Sequence, residues 1–340
     1  GAGVKPQVIE DYPGGDLVLP GNPKHVKKHV KKHVKKHVIR ISENPELEKL
    51  VGRTIITSDG TTLLGADDKA GVAVIMETAA WLMENPQHCH GPVRLLFTCD
   101  EEIGRGVDHV DLDSLGAAVC YTLDSAGADV IDVEAFSADL AVVTIRGASV
   151  HPSIAKGRMV NAVRVAADFL AQLPGERQSP ETTEGREGFL HPYAISGGVA
   201  QVTMRILLRE FETPKLDGLA KLLHRAADAS MAQFPGAAVD VAVTVQYRNM
   251  AAGLVREPRA VGHAQRALER LGRTAKLTIV RGGTDGSKLT EMGLPTPNLA
   301  SGQHTPHSPL EWACLEEMVQ AAEWLVALTE VWADESSIRP

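Results

Sequence analysis

The stretch TSDGTTLLGADDKAGVAVIMETAAWLME, residues 57–84, runs from a short strand through a polar turn into a long apolar helix. Residues 54–57 and 61–64 read as strands split by the Asp59-Gly60 turn, because Asp-Gly between β-favouring runs marks a tight reversal. Residues 69–84 read as a helix halted ahead of Pro86. Asp67 and Asp68 stand between strand and helix, where α/β enzymes place their reactive groups. Downstream, VRLLFTC (93–99) has the continuous apolar character of a buried strand and runs into Asp100-Glu101-Glu102. AAVCYTL (117–123) repeats the idiom and ends at Asp124.

The texture then changes. Alternating strands at 140–145, 199–209 and 239–247 are interleaved with helices at 160–173 and 215–234, which predicts a small antiparallel sheet with one wet face. After Asn249 the apolar α/β pattern returns, with a helix at 258–271, a strand at 276–280, the loop RGGTDGS and a last helix over about 315–332. The expected organisation is an α/β catalytic domain in two segments, 1–137 and 248–340, interrupted by a second domain at 138–247.

The 340 residues are 44% hydrophobic, enough for a sizeable core, and a formal net charge of −8 argues against general nucleic-acid binding. Of the four cysteines, Cys89, Cys99, Cys120 and Cys314, none forms a CxxC pair. Cys99 and Cys120 lie in apolar runs, so the expectation is free, buried thiols in a reducing cytoplasm. No apolar run reaches the roughly 18 residues of a membrane span. One basic block interrupts this picture: KHVKKHVKKHVKKHV, residues 24–38, with seven lysines and four histidines. In a helix with Asn22 as N-cap and Pro23 in the first turn, a four-residue period drifts by only about 40° per repeat, so His25, His29, His33 and His37 would form a slowly turning stripe. The favoured reading is a solvated insertion; the alternative is adventitious metal or polyanion binding.

Asp67, Glu101-Glu102, Asp124 and His307 supply carboxylates and one imidazole at chain turns. These are hard and borderline ligands suited to Zn²⁺ or Mn²⁺, with a carboxylate to spare as a base. Singly, each has a dull explanation, such as Asp67 capping a helix or Glu101 and Glu102 in a charged loop.

Five segments, TSDGTTLLGADDKAG (57–71), FTCDEEIGRG (97–106), VHPSIAKGRMVNA (150–162), RGGTDGSKLTEMGLPTPNL (281–299) and GQHTPHSPLEW (302–312), together resemble a known pattern. In order and spacing they are similar to the tripeptide aminopeptidases of the peptidase T type, in the co-catalytic zinc peptidase family that includes glutamate carboxypeptidase and aminoacylase. The resemblance runs from about Val4 to about Trp332, outside the repeat. It implies a mixed-sheet catalytic domain with an inserted ferredoxin-like α/β lid that dimerises. It implies two Zn²⁺ ions bridged by Asp67, one held also by Asp124 and the other by Glu102 and His307. Glu101 would be the general base, and the Asp67–Asp68 peptide would be cis. His151 would reach across the dimer to stabilise an oxyanion, and Arg209 would hold the substrate carboxylate. Asn161 and the glycine-rich loop from Arg281 would contact substrate, although Asn161 equally caps a helix. His304 is a rival ligand to His307; His88 and His90 read as surface residues.

The chain departs from the family in two places. Ser125 follows Asp124 where glycine is expected, and nothing matches the family's first metal motif, His-x-Asp, ahead of the segment resembling Gly3 to Gln7. The expectation is a chain that begins just downstream, with one metal site incomplete and little activity. The function expected is release of the N-terminal residue from tripeptides by a cytoplasmic homodimer. The alternatives are a related zinc hydrolase of other short peptides or N-acyl amino acids, and an inactive metal-binding fragment.

Overall fold

A computed structural model describes residues 3–21 and 37–336. All of the lysine–histidine repeat except His37 and Val38 therefore lies outside the described residues, and so do the expected N-cap Asn22 and first-turn Pro23. The chain divides into two compact units: Gly1–Val133 with Gly253–Thr278 and Thr284–Pro340, and Glu134–Ala252 with Ile279–Gly283. The second unit extends past the expected 138–247 at both ends and takes in part of the glycine-rich loop.

In the first unit a mixed sheet is assembled from β1 (Gln7–Ile9), β4 (Ile55–Thr57), β5 (Thr122–Ala126), β6 (Val130–Ala135), β11 (Lys276–Val280), β12 (Asn298–His304) and β13 (Trp312–Cys314). Its order is β1-β4-β13-β12-β6-β11, with β5 parallel to β12. A small hairpin pairs β2 (Leu17–Val18) with β3 (Val38–Ile39). Helices α1 (Ala66–Glu84), α6 (Arg259–Arg270) and α8 (Leu315–Ser336) build the core with the sheet; Val74, Leu123, Ile131, Leu268, Leu299 and Trp324 are buried together. The short helices α2 (Leu112–Leu115) and α5 (Ala251–Leu254) and the eight-residue α7 (Asp285–Met292) complete the set.

The second unit is β7 (Ser137–Arg146), α3 (Ala162–Ala171), β8 (Phe189–Gly197), β9 (Gln201–Glu210), α4 (Leu216–Gln233) and β10 (Ala238–Tyr247). Its antiparallel order β10-β7-β9-β8 makes this a ferredoxin-like βαββαβ unit. The inward side chains of β7 and β9, among them Val143, Ile145, Met204 and Ile206, pack with Phe169 of α3 and Leu219 and Leu223 of α4. Burying each such side chain contributes about 1.5–3 kcal/mol. Strand β8 was not legible in the sequence because Pro192 interrupts it; it is an edge strand, with a register shift between Pro192 and Ala194.

Five expectations fail in the first unit. Residues 61–64 form no strand: the Asp59 carboxylate accepts from Thr61 N (2.9 Å) and Thr61 Oγ1 (2.5 Å), which curls the chain. The strand expected at 117–123 starts later, at Thr122. VRLLFTC is not a buried strand; no described strand pairs with it, and Val93, Leu95 and Phe97 are 42%, 45% and 48% exposed. Cys99 is exposed with it, while Cys314 is the buried thiol. His88 is no loose surface residue either, since its ring packs edge-on against Trp81 and lies 3.1 Å from Glu330.

Candidate metal centre

Gly65 takes a left-handed conformation (φ 70°) and turns the chain into α1, in whose first turn Asp67 and Asp68 are non-helical and joined by a cis peptide. A Cβ on Gly71 would sit 2.3 Å from Leu123 O, so only glycine lets α1 lie this close to the strand that carries Asp124. Glu101 and Glu102 ride a single 3₁₀ turn, Glu101–Ile103, between the left-handed Asp100 and Gly104. His307 also has positive φ (60°), in a loop tied down by Asn44, whose Oδ1 accepts from Thr305 Oγ1 (2.7 Å) and Trp312 Nε1 (3.1 Å).

These turns bring three donors together. His307 Nε2 lies 3.0 Å from Asp67 Oδ2 and 3.0 Å from Glu102 Oε2. Among the described residues this is the one group of three or more histidine, cysteine or acidic side chains whose ligand atoms all lie within 4.8 Å of one another. Asp124 is not in that group. It stands nearby on β5, where Gln303 Nε2 donates to its Oδ1 (3.1 Å) and Asn298 Oδ1 accepts from its amide (3.0 Å).

The electrostatics favour bound cations or protons. Burial, followed by the charges of Asp285, Glu102 and Asp67, pushes the Glu101 carboxyl up to about 7. Burial and the neighbouring Asp67, Glu101 and Glu102 likewise raise Asp68 to about 8, against the opposing pull of the Gly71 amide. Asp124 is raised well above the carboxylate range by burial and then by Asp68, Asp67 and Glu101. Crowded carboxylates hold protons in this way when no cation offsets their charge. Two carboxylate oxygens and an imidazole nitrogen converging at one point, with more acids beside them, fit a divalent metal.

The other expected residues lie in the second unit. His151 is exposed, and its Nδ1 is 2.7 Å from Ser153 Oγ. Asn161 caps α3, its Oδ1 accepting from Val163 N (2.9 Å). Arg209 donates to Gln246 Oε1 (2.9 Å) and stacks over Tyr247. Arg281 donates to the carbonyls of Gly185, Glu187 and Thr183 and to Thr183 Oγ1, with Phe136 and Phe189 under its guanidinium. That guanidinium stitches its own unit together. His304 is buried, stacked 3.7 Å from Trp312, and its Nε2 lies 2.6 Å from Glu317 Oε2, which removes it as a rival to His307. Gln303, Asn298 and Glu311 were missed by the sequence reading. Only Glu311, an acid directly preceding Trp312 in a strand, carried a visible signal.

The sequence profile of peptidase family M20/M25/M40 matches residues 59–331. The chain belongs to that family. Peptidase T of Geobacillus thermodenitrificans is 37% identical over 337 residues, covering 99% of this chain and 79% of the relative. The aminopeptidase PepT of Bacillus cereus has a similar structure: TM-score 0.68, 28% identity, 96% of this chain and 88% of that one. A tripeptidase from Staphylococcus aureus gives a TM-score of 0.72 at 25% identity, covering 82% of this chain and 74% of that one. Within the family the chain therefore groups with the peptidase T enzymes and is a metallopeptidase.

Proposed function

We propose that the chain is a zinc-dependent aminopeptidase that releases the N-terminal residue of tripeptides. The convergence of Asp67, Glu102 and His307 beside Glu101 carries this reading. The first ion would be held by these three ligands, and a second by Asp67 and Asp124. Bound there, the ions would polarise the scissile carbonyl and acidify water. Glu101, directly beside the ligand Glu102, suits a base that takes the water proton and returns it to the leaving amine. Arg209 offers a planar guanidinium for the substrate carboxylate, and His151 an imidazole for the oxyanion, supplied across a homodimer. Asn161 and Arg281 shape the unit that carries them. Four thiols without a disulfide suit a cytoplasmic setting, and among the described residues no helix is long and apolar enough to cross a membrane.

The test dialyses the chain against zinc, counts metal per chain, and compares Ala-Ala-Ala, Ala-Ala and N-acetylalanine as substrates. Retained zinc with preferential release of the first alanine from Ala-Ala-Ala is expected. Turnover of the N-acyl compound alone would move the assignment to an acylase-type hydrolase, and failure to retain zinc would overturn it. Light scattering tests the dimer.

A further inference from the structure

Glu311 is 1% exposed, an unusual place for a carboxylate, and it lies four residues beyond His307 in the same loop. Its oxygens accept from two main-chain amides: Gly65 N to Oε2 at 2.5 Å, and Asp67 N to Oε1 at 2.8 Å. Those amides open α1, where the backbone is still non-helical and no carbonyl of a preceding turn is in place to receive them. One side chain thus spans the two chain segments that deliver Asp67 and His307. Its own backbone is held by a turn, Glu311 N donating to Ser308 O (3.0 Å), and by the adjacent strand β13, which pairs with β4 and β12.

We propose that Glu311 is a positioning residue for the metal centre: it fixes the Asp67 main chain against the His307 loop, and so presets the separation of the two ligands. The inference rests on the metal-centre reading above. Ligand groups held in advance bind an ion without a cost of ordering, and outer contacts of this kind are worth roughly 10–100-fold in metal affinity. A glutamine would keep one acceptor but turn an amide group toward a backbone N–H. An aspartate, one methylene shorter, would reach only one of the two amides.

A carboxylate used in the same way but away from the ligands provides the control. Glu316 accepts from Thr54 N through both oxygens, at 3.1 and 2.9 Å. The experiment titrates Co²⁺ into the metal-free full chain and into E311Q, E311D and E316Q, reading the dissociation constant and the visible Co²⁺ band, with the melting temperature of each metal-free protein. The expected result is a 10–100-fold loss of Co²⁺ affinity and a shifted band in E311Q, a smaller loss in E311D, and unchanged affinity in E316Q despite a lowered melting temperature. Wild-type affinity and band in E311Q and E311D, with only their melting temperatures lowered, would overturn the proposal. If E311Q does not fold, E311D decides by the same two readouts. A wild-type chain that binds no Co²⁺ would instead defeat the metal-centre reading itself, so the two failures are told apart.

Discussion

In the ferredoxin-like sheet, Ala141, Val143 and Ile145 of β7 and Val202, Met204, Ile206 and Leu208 of β9 meet α3 and α4 in one apolar layer. At the metal centre only a small apolar cluster, Leu64, Ala66, Ala70 and Ala313, backs the ligands. There, irregular turns with left-handed residues are held by single side chains: Asn44 accepts from the Thr305 hydroxyl, Gln303 donates to the Asp124 carbonyl, and Glu311 accepts from the Gly65 amide. The sheet is redundant, since each contact is one of many similar ones. The centre is not redundant, and it crowds carboxyls that hold protons until a cation offsets their charge. Stability and chemistry are thus placed in different kinds of structure, and substitutions should separate them.

The largest expected separation comes from Glu101→Gln. As a base acting on water, Glu101 should be worth about 10²–10⁴-fold in turnover, with Co²⁺ affinity nearly intact. Turnover within a factor of three of wild type would remove its role. The counterpart in the sheet is Phe169→Ala, a fully buried ring whose loss should cost about 3–5 kcal/mol in denaturant unfolding. Its metal affinity should not change; if it does, the two regions are coupled.

The pH response sharpens the contrast further. The Glu101 and Asp68 carboxyls are raised in the folded protein, so between their unfolded values and about 7 to 8 the folded state binds more protons than the unfolded one. Stability of the metal-free protein should therefore fall as pH rises through that window. Metal must displace those protons, so its uptake should release them, and the stabilisation it confers should grow over the same range. Calorimetric titration in two buffers of different ionisation enthalpy measures the release, and a buffer-independent heat would contradict the protonated cluster.

Smaller effects are expected at Asn161. Replacing it with alanine should cost about 1 kcal/mol through the lost cap of α3, with KM for a tripeptide unchanged. A selective rise in KM would instead make it a substrate contact. Smallest of all, Phe97→Ser should change stability by no more than about 0.5 kcal/mol, because the ring is 48% exposed. A buried-core penalty would restore the strand that VRLLFTC suggests.

The alternating strands at residues 140–145, 199–209 and 239–247, the helices between them, and the acids at turns after apolar runs were legible in the sequence, because periodicity and turn chemistry are local properties. Asp67, Glu102 and His307 were legible as a set only through the spacing of five motifs, since no local rule joins residues this far apart. The tertiary structure alone decided the rest. It separated His307 from His304 by stacking the latter on Trp312, and it gave Arg281 to Thr183, Gly185 and Glu187. It also left VRLLFTC exposed and added β8 despite Pro192. Glu311, silent in the sequence beyond its place before a tryptophan, became the link between two ligand loops. Each of these outcomes depends on which groups from distant segments share a volume, and that is a property of packing, to which the order of residues along the chain is only an indirect guide.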